Sequence, residues 1–260
     1  MKTTRINTRV ILVAVALALC ASTTTAQIIY QDNFNGAGDP LNGASLDIGA
    51  ATWTTGSDWL DDGTAATTVA ASANGQAAWL PFTPVGGLVY TATATILNNQ
   101  PNWIGFGFLP ASPPGGDWTV TDFSVRHSNA GGYAWFLTRN STGQSQQAFN
   151  GPSTSNATGI SGDIVDPTQP VTISLVLDTT AATWTAQYFL NGVQQGGVFD
   201  LAATANTGIG GIGFSHDRSA TANAGGTLSA FTLSAVPEPS ALALLGLGGL
   251  ACVFRLRRRS

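Results

Sequence analysis

The sequence predicts an all-β domain, on the evidence of its composition, its apolar pattern and one hairpin signal. Between residues 27 and 235 every acidic residue is Asp and there is no Lys, while Thr, Ala, Gly, Asn and Ser are abundant. This composition avoids strong helix formers and suits strands, tight turns and polar loops. Strand-like segments recur roughly every ten to fifteen residues, with turn residues between them. We therefore predict an antiparallel two-sheet sandwich of roughly ten to fourteen strands.

Two segments alternate hydroxyl and apolar side chains. Residues 88–96 place Thr on one face and apolar residues on the other, and residues 171–177 alternate in the same way with a partial break at Val176. This period of two indicates strands that have one buried and one wetter face. Residues 103–109 and 133–137 are denser in aromatic side chains, which predicts strands of the core.

The clearest local signal is a hairpin. Residues 182–190 are its first predicted strand, Asn191-Gly192 is the turn, and residues 193–199 are the returning strand. Asn-Gly favours a type I′ turn because both central residues of that turn need a positive φ. Residues 227–236 are the last predicted strand.

The N-terminal residues have the three-part pattern of a secretory signal peptide. Three basic residues precede the apolar run 10–19, and small polar residues then lead to Ala26. We predict that residues 1–26 are a signal peptide, which signal peptidase removes by cleavage after Ala26. A lipoprotein acylated at Cys20 is the alternative, which the large Leu19 before the cysteine disfavours.

Residues 236–260 contain three features in a fixed order. Two prolines hold the first segment extended, so that an enzyme cleft can bind it. The apolar stretch 241–254 follows; as a helix it would be about 21 Å long, enough for a thin or deformed bilayer. The basic residues after it would keep that end in the cytoplasm. The first segment is Val236, Pro237, Glu238, Pro239 and Ser240, and the basic residues are Arg255, Arg257, Arg258 and Arg259.

This arrangement resembles the PEP-CTERM sorting signal of Gram-negative bacteria over about 25 residues. The resemblance implies that a membrane-embedded exosortase recognises Pro237-Glu238-Pro239 and that the arginine tail is removed. The protein would then be anchored only transiently in the inner membrane before it reaches the cell surface or the exopolysaccharide matrix. A plain tail anchor is the alternative, but it would not explain the Pro-Glu-Pro segment.

Residues 27–235 are strongly acidic. They contain three arginines and thirteen aspartates, a formal net charge of −10. Such a domain cannot neutralise a phosphate backbone, which excludes nucleic acid as a partner. Cys20 and Cys252 both lie outside these residues, so the domain has no disulfide, no cysteine nucleophile and no thiolate metal site.

Several segments of the domain resemble concanavalin- and laminin-G-like jelly rolls. The segments that carry the resemblance are 30–35, 41–43 with Trp53, 103–108, 189–193 and 211–214. The resemblance implies a jelly roll whose first and last strands pair. Both ends of the domain would then leave from one edge.

The domain lacks the residues of the expected catalytic sets. Jelly-roll glycosidases use a carboxylate pair that is usually two glutamates, and residues 27–235 contain no Glu. His127 and His216 have no metal-ligand spacing, and we interpret both as surface or loop residues. We therefore predict a domain that is not an enzyme.

Two oxygen-rich segments are candidate calcium sites, because hard cations bind several oxygen ligands. The first set is Asp58, Asp61 and Asp62, and the second is Asp32, Asn35 and Asp39. The preference of Asp for turns explains both sets without a metal, and this is the favoured interpretation.

The seven tryptophans suggest a sugar-binding surface, because aromatic faces stack on sugar rings. The candidates are Trp59, Trp118 and Trp135, although packing in the core explains them equally well. The other four, Trp53, Trp79, Trp103 and Trp184, lie in strand-like segments and are predicted core residues.

Three hypotheses for the exported domain follow. The first is a non-catalytic surface or matrix protein with a lectin-like fold. The second is a calcium-supported carbohydrate-binding module whose partner is a polysaccharide. The third is a divergent hydrolase.

Overall fold

The computed structural model describes residues 25–56, 59–68, 77–97, 103–111, 133–139, 147–149, 169–201, 208–216 and 226–237. The chain divides into two compact units, and the fold described below is that of Gln27–Ala235. Trp118, the apolar stretch 241–254 and the four C-terminal arginines lie outside the described residues. The signal peptide and the C-terminal helix therefore stay predictions.

The described residues form fifteen strands in two sheets. The strands are β1 Gln27–Asp32, β2 Asp39–Pro40, β3 Thr54–Thr55, β4 Trp59–Asp61, β5 Ala66–Thr68, β6 Ala77–Pro81, β7 Leu88–Leu97, β8 Trp103–Pro110, β9 Ala134–Arg139, β10 Gln147–Phe149, β11 Val171–Asp178, β12 Thr185–Leu190, β13 Val193–Asp200, β14 Ile209–His216 and β15 Thr227–Pro237. The nine-stranded sheet has the order β13-β12-β11-β7-β15-β5-β4-β2, and β1 also pairs with β15. The six-stranded sheet has the order β10-β9-β8-β14-β6-β3. Every strand pair with a described register is antiparallel, which confirms the predicted two-sheet sandwich.

Short strands account for the excess over the predicted number. Four of the strands between residues 39 and 68 have only two or three residues each. A period of two cannot be recognised in so short a segment, so the sequence pattern did not reveal them.

The predicted alternation is confirmed in β7 and β11, which are neighbours. Burial alternates along both strands, with the apolar residues inside. Thr93 lies opposite Ser174, and their hydroxyl oxygens are 3.0 Å apart. The hydroxyl side chains of the two strands thus line the outer face of the nine-stranded sheet along β7 and β11.

The predicted hairpin is formed by β12 and β13. Asn191 and Gly192 both have a positive φ, 49° and 77°, as a type I′ turn requires. The Asn191 side chain also accepts a hydrogen bond from the Thr172 amide at 2.8 Å, and the Asn191 amide donates to the Thr172 carbonyl at 2.8 Å. Asn191 therefore shapes the turn and fastens it to β11.

The first and last strands pair, as the jelly-roll resemblance implied. Gln27 lies opposite Ala235, and Asp32 lies opposite Phe231. Because the pairing is antiparallel, the start of β1 and the end of β15 lie at one end of the sandwich.

Aromatic rings fill the space between the two sheets. The Trp53 ring lies 5.2 Å from that of Phe214 and 5.5 Å from that of Phe231, both edge-to-face. The Trp59 ring meets Phe214 edge-to-face at 4.8 Å. Such pairs add about 0.5–1.5 kcal/mol each beyond the area that they bury. This cluster joins the short strands of residues 39–68 to both sheets.

Candidate functional site

The six-stranded sheet is apolar on both faces. Along β8, Ile104, Phe106 and Phe108 belong to the core between the sheets, whereas Trp103 and Leu109 belong to a second cluster on the other face. A strand that faced water on one side would carry polar residues there. This outer face is the candidate functional site. Its cluster comprises Ala77, Trp103, Leu109, Trp135 and Leu137, with Trp79 packed against it.

Two glycines pack closely against Trp79 and Trp135 of this cluster. A Cβ on Gly211 would collide with the Trp79 indole, and a Cβ on Gly107 would collide with the Cβ and backbone of Trp135. Gly107 lies directly opposite Trp135 in the pairing of β8 and β9. Gly211 is thus needed because only hydrogen fits against the Trp79 indole, and Gly107 because only hydrogen fits against the Cβ and backbone of Trp135.

Trp135 is fully buried on this face. A hydrogen bond joins its backbone to the hydroxyl of Tyr188 on β12, and burial raises the pKa of that hydroxyl above its usual value. The bond therefore links the two sheets. Trp103 is also buried, and Trp79 is the partly exposed tryptophan of the cluster.

Trp59 lies in the core and not on a binding surface. Its relative exposure is 0%, and its ring meets Phe214 and, at 5.2 Å, His216. Sugar stacking needs an open ring face, and neither Trp59 nor Trp135 has one in this conformation. The stacking prediction is wrong for these two residues, because core packing uses both rings, and for Trp118 it lies outside the described residues.

His216 also differs from its prediction. We interpreted it as a surface or loop residue, but it ends β14 and is buried beside Trp59. His127 lies outside the described residues.

Asp32 anchors the loop that follows β1. Its Oδ2 accepts a hydrogen bond from Trp53 Nε1 at 2.6 Å, and its Oδ1 accepts one from the Phe34 amide at 2.8 Å. Burial raises the pKa of Asp32, the two hydrogen bonds act to lower it, and the nearby charges of Asp47 and Asp61 raise it further. The carboxylate thus connects the loop to the aromatic core.

Asp47 and Asp61 hold the same loop from two sides. Asp47 Oδ2 accepts from the amide and the side chain of Asn33, at 2.9 and 2.8 Å, and its Oδ1 accepts from Asn35 at 3.2 Å. Asp61 Oδ2 accepts from the Gly36 amide at 2.9 Å. The loop's polar groups are therefore paired with carboxylates.

Asp62 caps the turn between β4 and β5. Its Oδ1 accepts from the Thr64 amide and hydroxyl and from the Ala65 amide, at 2.7–2.8 Å. Burial acts to raise the pKa of Asp62, but these hydrogen bonds outweigh it and the pKa is lowered. The oxygen atom therefore shapes a turn.

The described members of the two calcium sets do not form an oxygen cage. In the part of the chain with described coordinates, no three acidic, His or Cys residues are grouped to hold a metal ion. Asp32 and Asp61 direct their oxygens at N–H donors, Asn35 donates to Asp47, and Asp39 is exposed on β2. Asp58 lies outside the described residues. In the described residues, Asp32, Asp61 and Asp62 thus accept hydrogen bonds from N–H groups of neighbouring loops and turns.

The last strand leads directly into the predicted sorting segment. β15 ends at Pro237, which is exposed, and Ala26 just before β1 is exposed as well. Residues 235–259 match the family model of the PEP-CTERM protein-sorting motif. The chain carries a PEP-CTERM sorting motif. The described residues include no helix that is long and apolar enough to span a membrane.

Solved structures of similar fold include sugar-binding and sugar-cleaving proteins. An endo-1,3-β-glucanase from Streptomyces sioyaensis has 12% sequence identity and a TM-score of 0.52, with 83% of this chain and 98% of that chain covered. The carbohydrate recognition domain of Emp47p has 14% identity and a TM-score of 0.48, with 84% and 99% covered. The Bauhinia forficata lectin in complex with GalNAc has 13% identity and a TM-score of 0.44, with 82% and 98% covered. No curated protein matches the sequence. The likeness to the glucanase supports the jelly-roll sandwich and shows the fold alone.

Proposed function

We propose that this protein is exported, sorted by its PEP-CTERM signal, and active outside the cell as a non-catalytic, lectin-like domain at the surface or in the exopolysaccharide matrix. The observation that carries the proposal is the sorting motif at residues 235–259, which overlaps the last three residues of β15. Signal peptidase and an exosortase would be its processing partners.

The geometry at both ends of the domain supports processing there. Ala26 and Pro237 are exposed, and Gln27 and Ala235 are paired in the sheet between β1 and β15. A protease that cuts after Ala26, or an exosortase that binds Pro237-Glu238-Pro239, would therefore leave the folded domain intact.

The outer face of the six-stranded sheet is the proposed carbohydrate-binding surface. Its apolar cluster is largely buried, and Trp79 is the partly exposed tryptophan of that cluster. Aromatic faces and apolar floors are typical of sugar-binding surfaces. The absence of Glu from residues 27–235 disfavours a divergent hydrolase of the paired-glutamate type.

The sorting proposal is tested in cells with an internally epitope-tagged protein. In one variant Pro237, Glu238 and Pro239 are replaced by Ala, and a matched control carries the exposed-strand change Gln194→Ala. We expect the native protein and the control to leave the membrane with a shortened C-terminus and the motif variant to stay membrane-bound. Full-length native protein that stays in the inner membrane would show a plain tail anchor instead.

Carbohydrate binding is tested on a glycan array with the full chain. We expect binding to an extracellular polysaccharide that Trp79→Ala weakens by more than about tenfold, in line with the loss of a central aromatic anchor. Phe189→Ala is the matched control, because Phe189 is a half-buried aromatic on β12 of the other sheet. Equal loss in both variants would contradict the assignment to this face.

The calcium-supported module is the alternative form of the proposal. It requires oxygen ligands in addition to those described here, since the carboxylates of Asp32, Asp61 and Asp62 are occupied by turns. Loss of glycan binding after chelation, with recovery on calcium addition, would support this alternative. Unchanged binding would support the calcium-independent form.

A further inference from the structure

An apolar groove lies at the end of the sandwich where β1 begins and β15 ends. Its volume is about 610 Å³, and none of its lining residues carries a charge. The groove is lined mainly by apolar and aromatic side chains, among them Ile29, Tyr30, Phe82, Val85, Leu88 and Ala235. This groove is separate from the outer face of the six-stranded sheet.

The two tyrosines of the groove already have hydrogen-bond partners. The Tyr30 hydroxyl donates to the Pro81 carbonyl at 2.7 Å, and the Tyr90 hydroxyl accepts from the Val85 amide at 2.7 Å. Burial raises the pKa of Tyr30 and of Tyr90, so both hydroxyls stay neutral. The two tyrosine hydroxyls therefore need no polar partner from a molecule that enters the groove.

The groove has an exposed apolar rim. Val85 lines the groove and is 64% exposed, and the exposed Ile28 and Ile48 lie within two positions of lining residues in the sequence. The turn that carries Val85 is held by Thr179, whose hydroxyl shares its one proton between the carbonyls of Val85 at 3.0 Å and Leu88 at 2.7 Å. A fixed apolar patch that faces water is typical of a contact surface.

Only a few residues separate the end of β15 from the predicted membrane stretch. Gln27 and Ala235 are paired, and both line the groove. β15 ends at Pro237, and the apolar stretch begins at residue 241. The four Cα steps between them span at most about 14 Å even when fully extended. With residues 241–254 in a bilayer, this short connection limits how far the end of β15 can lie from the bilayer surface.

We infer that this apolar end of the domain contacts the outer surface of the inner membrane while the protein is anchored there. The inference rests on the proposed function, in which residues 241–254 hold the protein in the membrane until sorting. Val85 would enter the boundary between head groups and acyl chains, about 5–10 Å deep. Tyrosines are common at this depth, where one side of the ring is apolar and the other is wet.

Apolar contact, and not charge, holds this end to the bilayer. Asp178 on β11 and Asp200 on β13 lie at the same end of the sheet, opposite Thr185 of β12. They disfavour anionic lipid, so the partner is a bilayer rich in zwitterionic lipid, and added salt does not weaken the contact. A patch of this size gives only weak, reversible binding without an anchor, which is compatible with release after the tail is removed.

The experiment uses the mature chain from Gln27 onward, with Cys252→Ala so that an introduced cysteine is unique. An environment-sensitive fluorophore is attached at Val85→Cys or at Val193→Cys, and the protein is inserted into vesicles of phosphatidylethanolamine with a minority of phosphatidylglycerol. Val193 is the matched control because it is 63% exposed, against 64% for Val85, and lies on the hairpin at the opposite end of the sheet. Both variants are checked for unchanged thermal melting.

We expect the emission of the fluorophore at position 85 to shift to the blue, at low and at high salt. Nitroxide lipids should quench it at least about twofold more strongly than the fluorophore at position 193, because an interfacial residue lies within reach of the nitroxides. Equal quenching at the two positions, in a chain that floats with the vesicles, would overturn this inference and leave sorting untouched. A blue shift that lipid quenchers do not reach would indicate a protein partner and overturn it too. A chain that does not float would overturn both this inference and the membrane step of the proposed function.

Discussion

Replacement of Asp32 by Ala tests how the first loop is fixed to the core. Asp32 is buried and accepts hydrogen bonds from Trp53 Nε1 at 2.6 Å and from the Phe34 amide at 2.8 Å. Phe34 has a positive φ of 52°, which a bulky residue adopts only when its surroundings hold it there. Without the carboxylate, two buried N–H groups lose their acceptor and Phe34 loses its restraint.

The cost follows from the number of donors left unpaired. Each buried donor without a partner costs about 1–3 kcal/mol, and relief of the buried charge offsets part of the sum. We expect Asp32→Ala to lower the free energy of unfolding by about 2–4 kcal/mol. At roughly 2–4 °C per kcal/mol for a domain of this size, the Tm would fall by roughly 5–15 °C. Urea unfolding and thermal melting of the full chain measure both quantities.

A double-mutant cycle with Trp53→Phe separates the hydrogen bond from general damage. Phe keeps most of the ring packing but removes the Nε1 donor. If the bond matters, the two changes together cost less than the sum of each alone, with a coupling of about 0.5–3 kcal/mol. A loss below about 0.5 kcal/mol for Asp32→Ala, or a cycle without coupling, would refute the anchoring role of Asp32.

Three further outcomes are expected. Burial, together with the nearby carboxylates, raises the pKa of Asp32 above 3.8, so the folded state binds the Asp32 proton more tightly than the unfolded state does. The contribution of Asp32 to stability therefore falls as pH rises from 3.8 to the folded pKa. Asp32→Asn should remove this contribution to the pH dependence of the Tm in melts taken across that range, and an unchanged pH dependence would contradict it. Gly211→Ala should lower the free energy of unfolding by about 1–3 kcal/mol, because the added Cβ meets the Trp79 indole. Gly86→Ala is the control and should be nearly neutral, because the nearest atom to its Cβ is 3.9 Å away. Equal melting temperatures of the two variants would argue against a requirement for glycine at position 211. Asn191→Ala should lower the free energy of unfolding by about 2 kcal/mol, because Ala is strained at this positive φ and the hydrogen bond to β11 is lost. Asn191→Gly should recover about half of that loss in the same melts, and a Gly variant no more stable than the Ala variant would show that φ is not the cause.

Local sequence patterns predict much of the fold. The Asn191-Gly192 turn and the alternation of residues 88–96 depend only on neighbours in sequence, so the sequence predicts them well. The pairing of the first and last strands joins residues 27 and 235, and only the resemblance to jelly rolls suggested it.

Long-range partners explain what the sequence did not show. Trp59 stands in a polar, Asp-rich segment, and its burial depends on Phe214 from a distant strand. Asp32 resembles an ordinary turn residue until the fold brings Trp53, 21 positions away, to its side. The role of Gly107 follows only from the cross-strand register, which places it opposite Trp135.

The intact mass of the native protein, measured in the inner-membrane fraction and in the released fraction, tests the central claim most directly. The proposal expects a released form that begins at Gln27 and lacks the tail with Arg255, Arg257, Arg258 and Arg259, together with a longer membrane-bound precursor. A single form that keeps residues 241–260 and is found only in the membrane would contradict sorting and leave a tail-anchored sandwich domain.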